Sequence, residues 1–471
     1  MNKYIKYFLI IFCTVLFFNP AYSMKITHPE NQYMTVSEDG IFFSGKIEKY
    51  EKVYIDGVAI KPEKTGAFSY SVPLKVGENI FAVQKKDFFF KTETLKYIIT
   101  RINKADEENH NKFIEQEKCY YETTRDNVVL RSTPIDAGMN RMGYLPKGTK
   151  VFSDGRKNEF SRIYLSENNY GWVMSKDLIS VNLEDRNKYV PQNFISYDCI
   201  KSDKNTTYTI TLSDNVPYSA VVEDNKLIVT VYNLDNSNEI FTKEYPLDKF
   251  PRYSVCMQNG ILYITFKKLS FDKNTYSNKK VKIVIDAGHG GKEAGAIGCL
   301  GDKEKLINLE VALKLKAILE QHKFNVYLTR EIDKFLSLED RVKYAQDKNA
   351  LIFISIHMNS VPISSDPNLD KGTVVFYFNP QSKNLAKEIS SSVSKDLKIK
   401  DNGATQASFA VIRPTEYIGV LAELAYLVNP KDVAVYRNKK FVQTSAMAIY
   451  NGLVNYIHSE IWCFIFRKNL L

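Results

Sequence analysis

The sequence is short of several things that would narrow its function at once. It has no CxxC pair and only six cysteines, of which Cys13 lies within an apolar N-terminal run as filler. The other five, Cys119, Cys199, Cys256, Cys299 and Cys463, are odd in number and scattered. They indicate neither a disulfide framework nor a zinc knuckle nor thioredoxin chemistry. A single pairing, Cys199 with Cys256, stays open because both lie in one region. The chain also lacks a dominant charge: 64 Lys and Arg against 54 Asp and Glu leave +10. That modest excess suits nucleic acid, anionic lipid or an anionic cell wall equally, so its sign chooses none of them. The apolar run Tyr7–Phe18 is short for a bilayer span. Histidine is scarce, six in 471 residues, and His28, His110, His322 and His458 sit in polar or terminal settings that read as structural.

What is present begins at the N-terminus. Lys3 and Lys6 precede the apolar run, and Ala21-Tyr22-Ser23 supplies small residues at the −3 and −1 positions. Residues 1–23 therefore read as a secretory signal peptide cleaved after Ser23. Export places the protein in the periplasm or the cell wall and extracellular space, and argues against nucleic acid as a partner. At 471 residues the chain exceeds one compact core, and about three or four domains are expected. Its 30 Tyr and 28 Phe lie largely in short alternating runs, which suits β-rich modules.

Residues 24–101 alternate in short bursts (KVYIDG, GAFSYSV, NIFAVQK, LKYIIT) separated by turns at Asp56-Gly57, Thr65-Gly66 and Gly77-Glu78. This is the pattern of a small β-sandwich. It resembles the immunoglobulin-like modules of secreted carbohydrate enzymes, which implies spacing or binding. Residues 102–118 are charged and read as a linker or a solvated helix. In 119–181, Val129–Ser132, Leu145–Val151 and Gly171–Val173 resemble the strand, hairpin and strand of a bacterial SH3-like domain, which implies contact with cell-wall peptides. A plain spacer with Trp172 as core is the other reading. A third β-module is expected over 189–267 (TYTITL, KLIVTVYNL, GILYITFKK), and its position resembles that of amidase N-terminal targeting domains. Residues 268–280 read as the last linker.

From Val281 the pattern changes. Strands are expected at Lys282–Ile285, Val326–Thr329, Leu351–Ile356, Thr373–Tyr377 and Val420–Leu424. A helix after the first carries the stripe Leu306, Leu309, Leu313 and Ala317, and Ser337 with Asp340 starts another in capping-box fashion. Further helices fit Lys383–Leu397 and Phe441–Tyr456. The expected fold is multidomain: an α/β catalytic domain with a mostly parallel sheet over 281–458, preceded by small all-β domains. Ligands of such a sheet bind at the carboxyl ends of its strands. The tail 459–471, apolar then basic, either packs on the domain or touches a membrane.

His289, His357 and Glu423 all close apolar strands of this unit, and Glu304 opens the helix after the first. Each alone reads as structural; together they converge on one rim. Two imidazoles and a carboxylate make a three-ligand zinc site with the fourth position open. Another carboxylate must then carry the proton, and Glu423 in VLAEL is the natural candidate. Asp286, Asn308 and Asn359 could orient the ligands or simply cap turns, and Arg330 and Arg341 could meet an acidic group or pair within the domain.

These residues resemble the zinc-dependent N-acetylmuramoyl-L-alanine amidases of the amidase-3 type over about 281–457. The carrying motifs are Ile285–Lys292, Glu304-Lys305 with Asn308-Leu309, Thr329-Arg330, Ser355-Ile356-His357 with Asn359, and Glu423 with Leu427 and Asn429. Phe409, Val411 and Arg413 fit the run before the last strand. The resemblance implies Zn2+ on His289, Glu304 and His357, Glu423 as acid/base, and hydrolysis of the amide between the lactyl group of N-acetylmuramic acid and L-alanine. Its partners would be peptidoglycan and divisome or envelope proteins. Ala294, Met358 and Ala425-Tyr426 depart from the common pattern without touching a proposed ligand. The interval from His357 to Glu423 leaves no room for a long inserted helix that would plug the site. Two other readings stay open: a non-catalytic peptidoglycan-binding protein, and a zinc peptidase acting elsewhere on the stem peptide.

Overall fold

The computed structural model describes residues 24–87, 89, 91–102, 112–181, 193–232, 234, 240–247, 252–267 and 281–468, with side chains to 459. The expected signal peptide, the 268–280 linker and the side chains of most of the tail lie outside these residues. None of the described helices is long and apolar enough to cross a membrane.

The N-terminal part consists of small, mostly antiparallel sheets, as alternating apolar runs dictate; the exception is Tyr33–Val36, which runs parallel to Thr92–Arg101. Its first module stacks a three-stranded sheet (Lys25–His28, Gly40–Lys46, Ala67–Pro73) on a five-stranded one. Phe43 lies at its centre, edge-on to Phe81 and Tyr97 at 5.5 and 5.2 Å. The second module is a seven-stranded sheet from Ile114–Thr123 to Leu178–Ser180. Its first strand starts inside the stretch read as linker, because Ile114 and Glu115 already pair with Arg156 and Gly155, while Leu178–Ser180 pairs further along with Tyr121–Thr123. Trp172 is half-buried and meets the Phe113 ring edge-on at 6.1 Å, so it is not plain core.

The third module packs a four-stranded and a three-stranded sheet around Leu227, Val229, Ile264 and Phe266. It corrects the open cysteine pairing: Cys199 and Cys256 are free and exposed, on opposite edge strands of the four-stranded sheet. Three strand spacings of about 4.8 Å separate them, well beyond disulfide reach.

The C-terminal unit is a six-stranded mixed sheet. In chain order its elements are β1 (Lys282–Ala287), α1 (Glu304–Gln321), β2 (Asn325–Leu328), α2 (Leu338–Asp347), β3 (Ile352–Asn359), β4 (Thr373–Tyr377), α3 (Lys383–Leu397), β5 (Asp401–Gln406), β6 (Ile418–Tyr426), α4 (Pro430–Tyr436) and α5 (Phe441–Lys468). The spatial order is β2-β1-β3-β6-β4-β5. The first four strands are parallel; β4 runs against β6, and β5 runs with β4. Helices α1, α3 and α5 cover one face, while α2 and the turn at Ala410–Ile412 cover the other.

The stripe expected on α1 is corrected. Leu306 and Leu313 are exposed, and the helix buries Asn308, Val311, Ala312, Leu315 and Leu319 instead. The helix is apolar on two sides, and the face carrying Glu304 and Asn308 toward β1 is the one the sheet receives. The helix between His357 and Glu423, α3, packs through Leu385, Ala386 and Ile389 into the core on the α1 and α5 side.

Two modules clasp the loops at the edge of this sheet. Ser69 Oγ of the first donates to Val428 O at 2.9 Å, and Asn368 Nδ2 donates back to Ser69 O at 3.1 Å. Ala67 even joins the core cluster of the C-terminal unit. On the other side, Tyr253 of the third module exchanges backbone and side-chain hydrogen bonds with Thr415.

Under the rim, the carboxylate of Asp286 is 1% exposed and accepts from Thr329 Oγ1 (2.6 Å), Arg341 Nη1 (2.7 Å) and Ser355 Oγ (2.8 Å). Removing one partner of such a buried pair leaves an uncompensated charge, at about 3–5 kcal/mol. Asp286→Ala is therefore expected to lower the opening free energy of 282–287 and 352–359 in native-state hydrogen exchange by about that amount. Glu331→Ala, which breaks the exposed ion pair with Lys316, should cost at most about 1 kcal/mol.

Candidate metal centre

Each component of the site is delivered by a different element. After β1 the chain turns sharply, and His289 takes a left-handed backbone (φ 58°), followed by Gly290 and Gly291, also at positive φ. Such a conformation in a non-glycine residue costs about 1–3 kcal/mol and needs support from outside. Arg341 Nη2 supplies it by donating to His289 O at 2.9 Å. Arg330, 1% exposed, donates to the carbonyls of Ala287, Gly288 and Lys305. Both arginines are thus occupied within the domain, Arg341 on Asp286 and Arg330 on backbone. The next turn is pinned by Asp333, which accepts from Gly291 N at 2.7 Å and Lys305 Nζ at 2.6 Å.

Glu304 is the first residue of α1 and is 3% exposed. Its carboxylate lies between the two histidines, with Oε2 3.2 Å from His289 Nε2 and Oε1 2.8 Å from His357 Nδ1. Oε1 also accepts from Met358 N and Asn308 Nδ2, and Oε2 from Ala296 N. Of the three residues expected to steady the ligands, Asn308 therefore touches one. Asp286 acts through Arg341, and Asn359 Oδ1 caps Ser360 N.

The donor atoms of His289, Glu304 and His357 all lie within 4.8 Å of one another. Two neutral nitrogens and one anionic oxygen at that spacing fit Zn2+ in a three-ligand arrangement. Burial pushes the Glu304 carboxyl up, but hydrogen bonds and charge from the two imidazoles outweigh it and hold the group well below the usual carboxylate range. Burial would lower His357, yet the bond to Glu304 and its charge raise the imidazole to about 9.

Glu423 sits on β6 in direct register with His357 on β3. Its Oε2 is buried and has no hydrogen-bond partner among the described residues. Burial pushes its carboxyl up to about 7, with His357 opposing and Glu304 adding to the rise. A buried polar atom left unmatched costs free energy, so its persistence beside the donor cluster is the observation that needs a function.

Reading the sequence missed the close approaches that shape this rim. A Cβ on Gly288 would lie 2.2 Å from His357 Nε2, and one on Gly295 would lie 2.4 Å from Glu304 Oε2. Gly288 stands in the motif and Gly295 just beyond it, but only the fold shows which side chain each admits. Asp333 and Lys305 carried no motif signal as turn anchors.

A family model described as N-acetylmuramoyl-L-alanine amidase matches residues 283–455. A Bacillus subtilis protein named uncharacterized protein YqiI is 36% identical over 178 residues, covering 37% of this chain and 84% of that protein. The probable cell wall amidase LytH of Staphylococcus epidermidis is 34% identical over 192 residues, covering 40% of this chain and 63% of its own length. Among solved structures, the catalytic domain of CwlV, an amidase of Bacillus (Paenibacillus) polymyxa, is 38% identical and covers 38% of this chain and 98% of that one, with a TM-score of 0.36.

Gly288→Ala is expected to push the His357 ring off the donor cluster. Zinc affinity, measured by competition with a chromogenic chelator, should fall about 10- to 100-fold, while circular dichroism stays that of the parent. Unchanged affinity would show that His357 does not depend on this approach.

Proposed function

This chain belongs to the N-acetylmuramoyl-L-alanine amidase family, and from that membership we propose that it is an exported, zinc-dependent hydrolase of peptidoglycan. The bond cut is the amide joining the lactyl group of N-acetylmuramic acid to the first L-alanine of the stem peptide. His289, Glu304 and His357 hold the metal, and Glu423 moves the proton. The observation that carries this reading is the unpartnered, buried Oε2 of Glu423 in register with a ligand histidine.

Zn2+ bound there supplies Lewis-acid polarisation of the amide carbonyl and acidifies water. The remaining work belongs to the chain. Glu304 keeps both imidazoles aimed at one point. Glu423 takes the proton of the attacking water on Oε2 and returns it to the leaving nitrogen. Burial raises this carboxyl above the usual carboxylate range, which suits a group that must both take and return a proton. Ionised, it would be a good base; protonated, a good acid. The peptidoglycan-facing roles of the sandwich and the SH3-like module, and export through residues 1–23, belong to the same proposal.

Digestion of purified peptidoglycan tests it. Wild type should release stem peptides with a free L-alanine amino terminus. Glu423→Gln should keep its zinc and lose about 10²- to 10⁴-fold in rate. Cuts between peptide residues would transfer the assignment to a zinc peptidase, and binding without any cut to a wall-binding protein. Chelation should abolish release, and added zinc should restore it.

A further inference from the structure

The rim that carries Glu423 continues down one face of the sheet. Side chains alternate along a strand, so Glu423 shares its face with Leu421, and His357 shares it with Phe353. The register of β4 against β6 sets Val374 beside Glu423 and Phe376 beside Leu421. The half-buried Phe376 ring lies 5.0 Å from that of Phe409, which is 40% exposed. From Glu423 the same face of the sheet thus leads past the buried Val374 to an aromatic pair whose outer ring, Phe409, is open.

Past Phe409 the surface passes to the second β-module. Gly138 lies so close to Ser408 that a Cβ there would come within 2.2 Å of its Oγ. The loop holding Gly138 is bounded by Arg131 and Arg141, which face each other across a strand pair. Arg413 donates to Ser408 O at 3.0 Å and lies within the field of both these arginines and of Asp136. Three guanidiniums therefore share one carboxylate. Arg131 is committed to it, with Nη2 2.5 Å from Asp136 Oδ1. Arg141 and Arg413 pair with no carboxylate among the described residues, and Arg141 Nε is buried without a partner. Burial and the nearby Arg141 charge both disfavour the charged form of Arg413. Two like charges pressed into a half-desolvated seam are unfavourable unless an anion joins them.

We propose that Arg141 and Arg413 form a carboxylate-binding subsite, built jointly by the second β-module and the catalytic domain, that holds an acidic residue of the stem peptide while its first amide lies at Glu423. The proposal rests on the amidase reading above and names a specificity element for it. The apolar body of the peptide crosses Phe376 and Phe409, and the two guanidiniums take the carboxylate by charge-assisted hydrogen bonds. An extended peptide gains about 3.3 Å per residue, so a few residues span the distance from a strand end to a side chain over the middle of the same sheet. The subsite explains why the module docks on Ser408: without that contact Arg141 would stand apart from the groove.

The test compares two soluble muropeptides that differ only in whether the stem carboxylates are free or amidated. Wild type should prefer the free form in kcat/KM by about tenfold or more. Arg141→Gln and Arg413→Gln should each bring that preference close to one, and Arg141→Lys should keep part of it. No preference in wild type, or an equal loss on both substrates in the variants, would overturn the subsite. If wild type hydrolyses neither muropeptide, the amidase reading falls, and calorimetry with the free and amidated stem peptides decides the subsite separately. There, tighter binding of the free form that Arg141→Gln removes supports it, and equal binding rejects it.

Discussion

Much of the catalytic domain hangs on one buried carboxylate. Asp286 gathers Thr329 from the end of β2, Ser355 from β3 and Arg341 from α2, so three neighbouring elements converge on a single negative charge. Arg341 then reaches upward to the carbonyls of Ala287 and His289. Arg330 adds its own bonds to Ala287, Gly288 and Lys305. Two cations thus sit beneath a turn whose carbonyls at Ala287, Gly288 and His289 point at them. That arrangement lets His289 keep a left-handed conformation which its own side chain does not favour. The geometry of the donor cluster is set from below, by charge, before any metal is considered.

The rim is steadied from the sides as well. Asn429, just after β6, donates to the carbonyls of Pro367 and Asp370 in the loop after β3. The loops following His357 and Glu423 therefore move together. Ile363 of the same region packs on the core of the first module, and Ser71 reaches Ser365 O at 3.3 Å. The β-modules are in this sense parts of the walls around the rim.

The central strands were legible because each carries a strong local signal, whereas the four candidate site residues, structural when taken singly, stood out only by converging on one rim. Ile283–Ile285 and Ile352–Ile356 are buried on both faces and read as continuous apolar runs. Strand β5 did not announce itself: Asp401–Gln406 is an edge strand with no fully buried side chain, so it has no period to detect. Helix α4 had a usable signal that went unread, Asn429 as cap followed by Pro430 at the first helical position. The α1 stripe was misassigned because both sides of that helix are apolar and only tertiary contact chooses between them. The charged start of the second module hid a strand because its neighbours in the sheet lie far along the chain. What sequence could not give at the site was approach distance, as at Gly288.

The clasp between the first module and the catalytic rim joins very distant points of the chain. Thr27 meets Cys299 across 272 residues, and Ser69 meets Val428 across 359. Contacts of that span carry the largest loop-closure cost, and the second of them cannot form until the chain has emerged past Val428. The first module can fold early around Phe43, but it must wait for its partner surface. The rim therefore takes its final shape only once segments several hundred residues apart have come together, so its walls are among the last features of the fold to close.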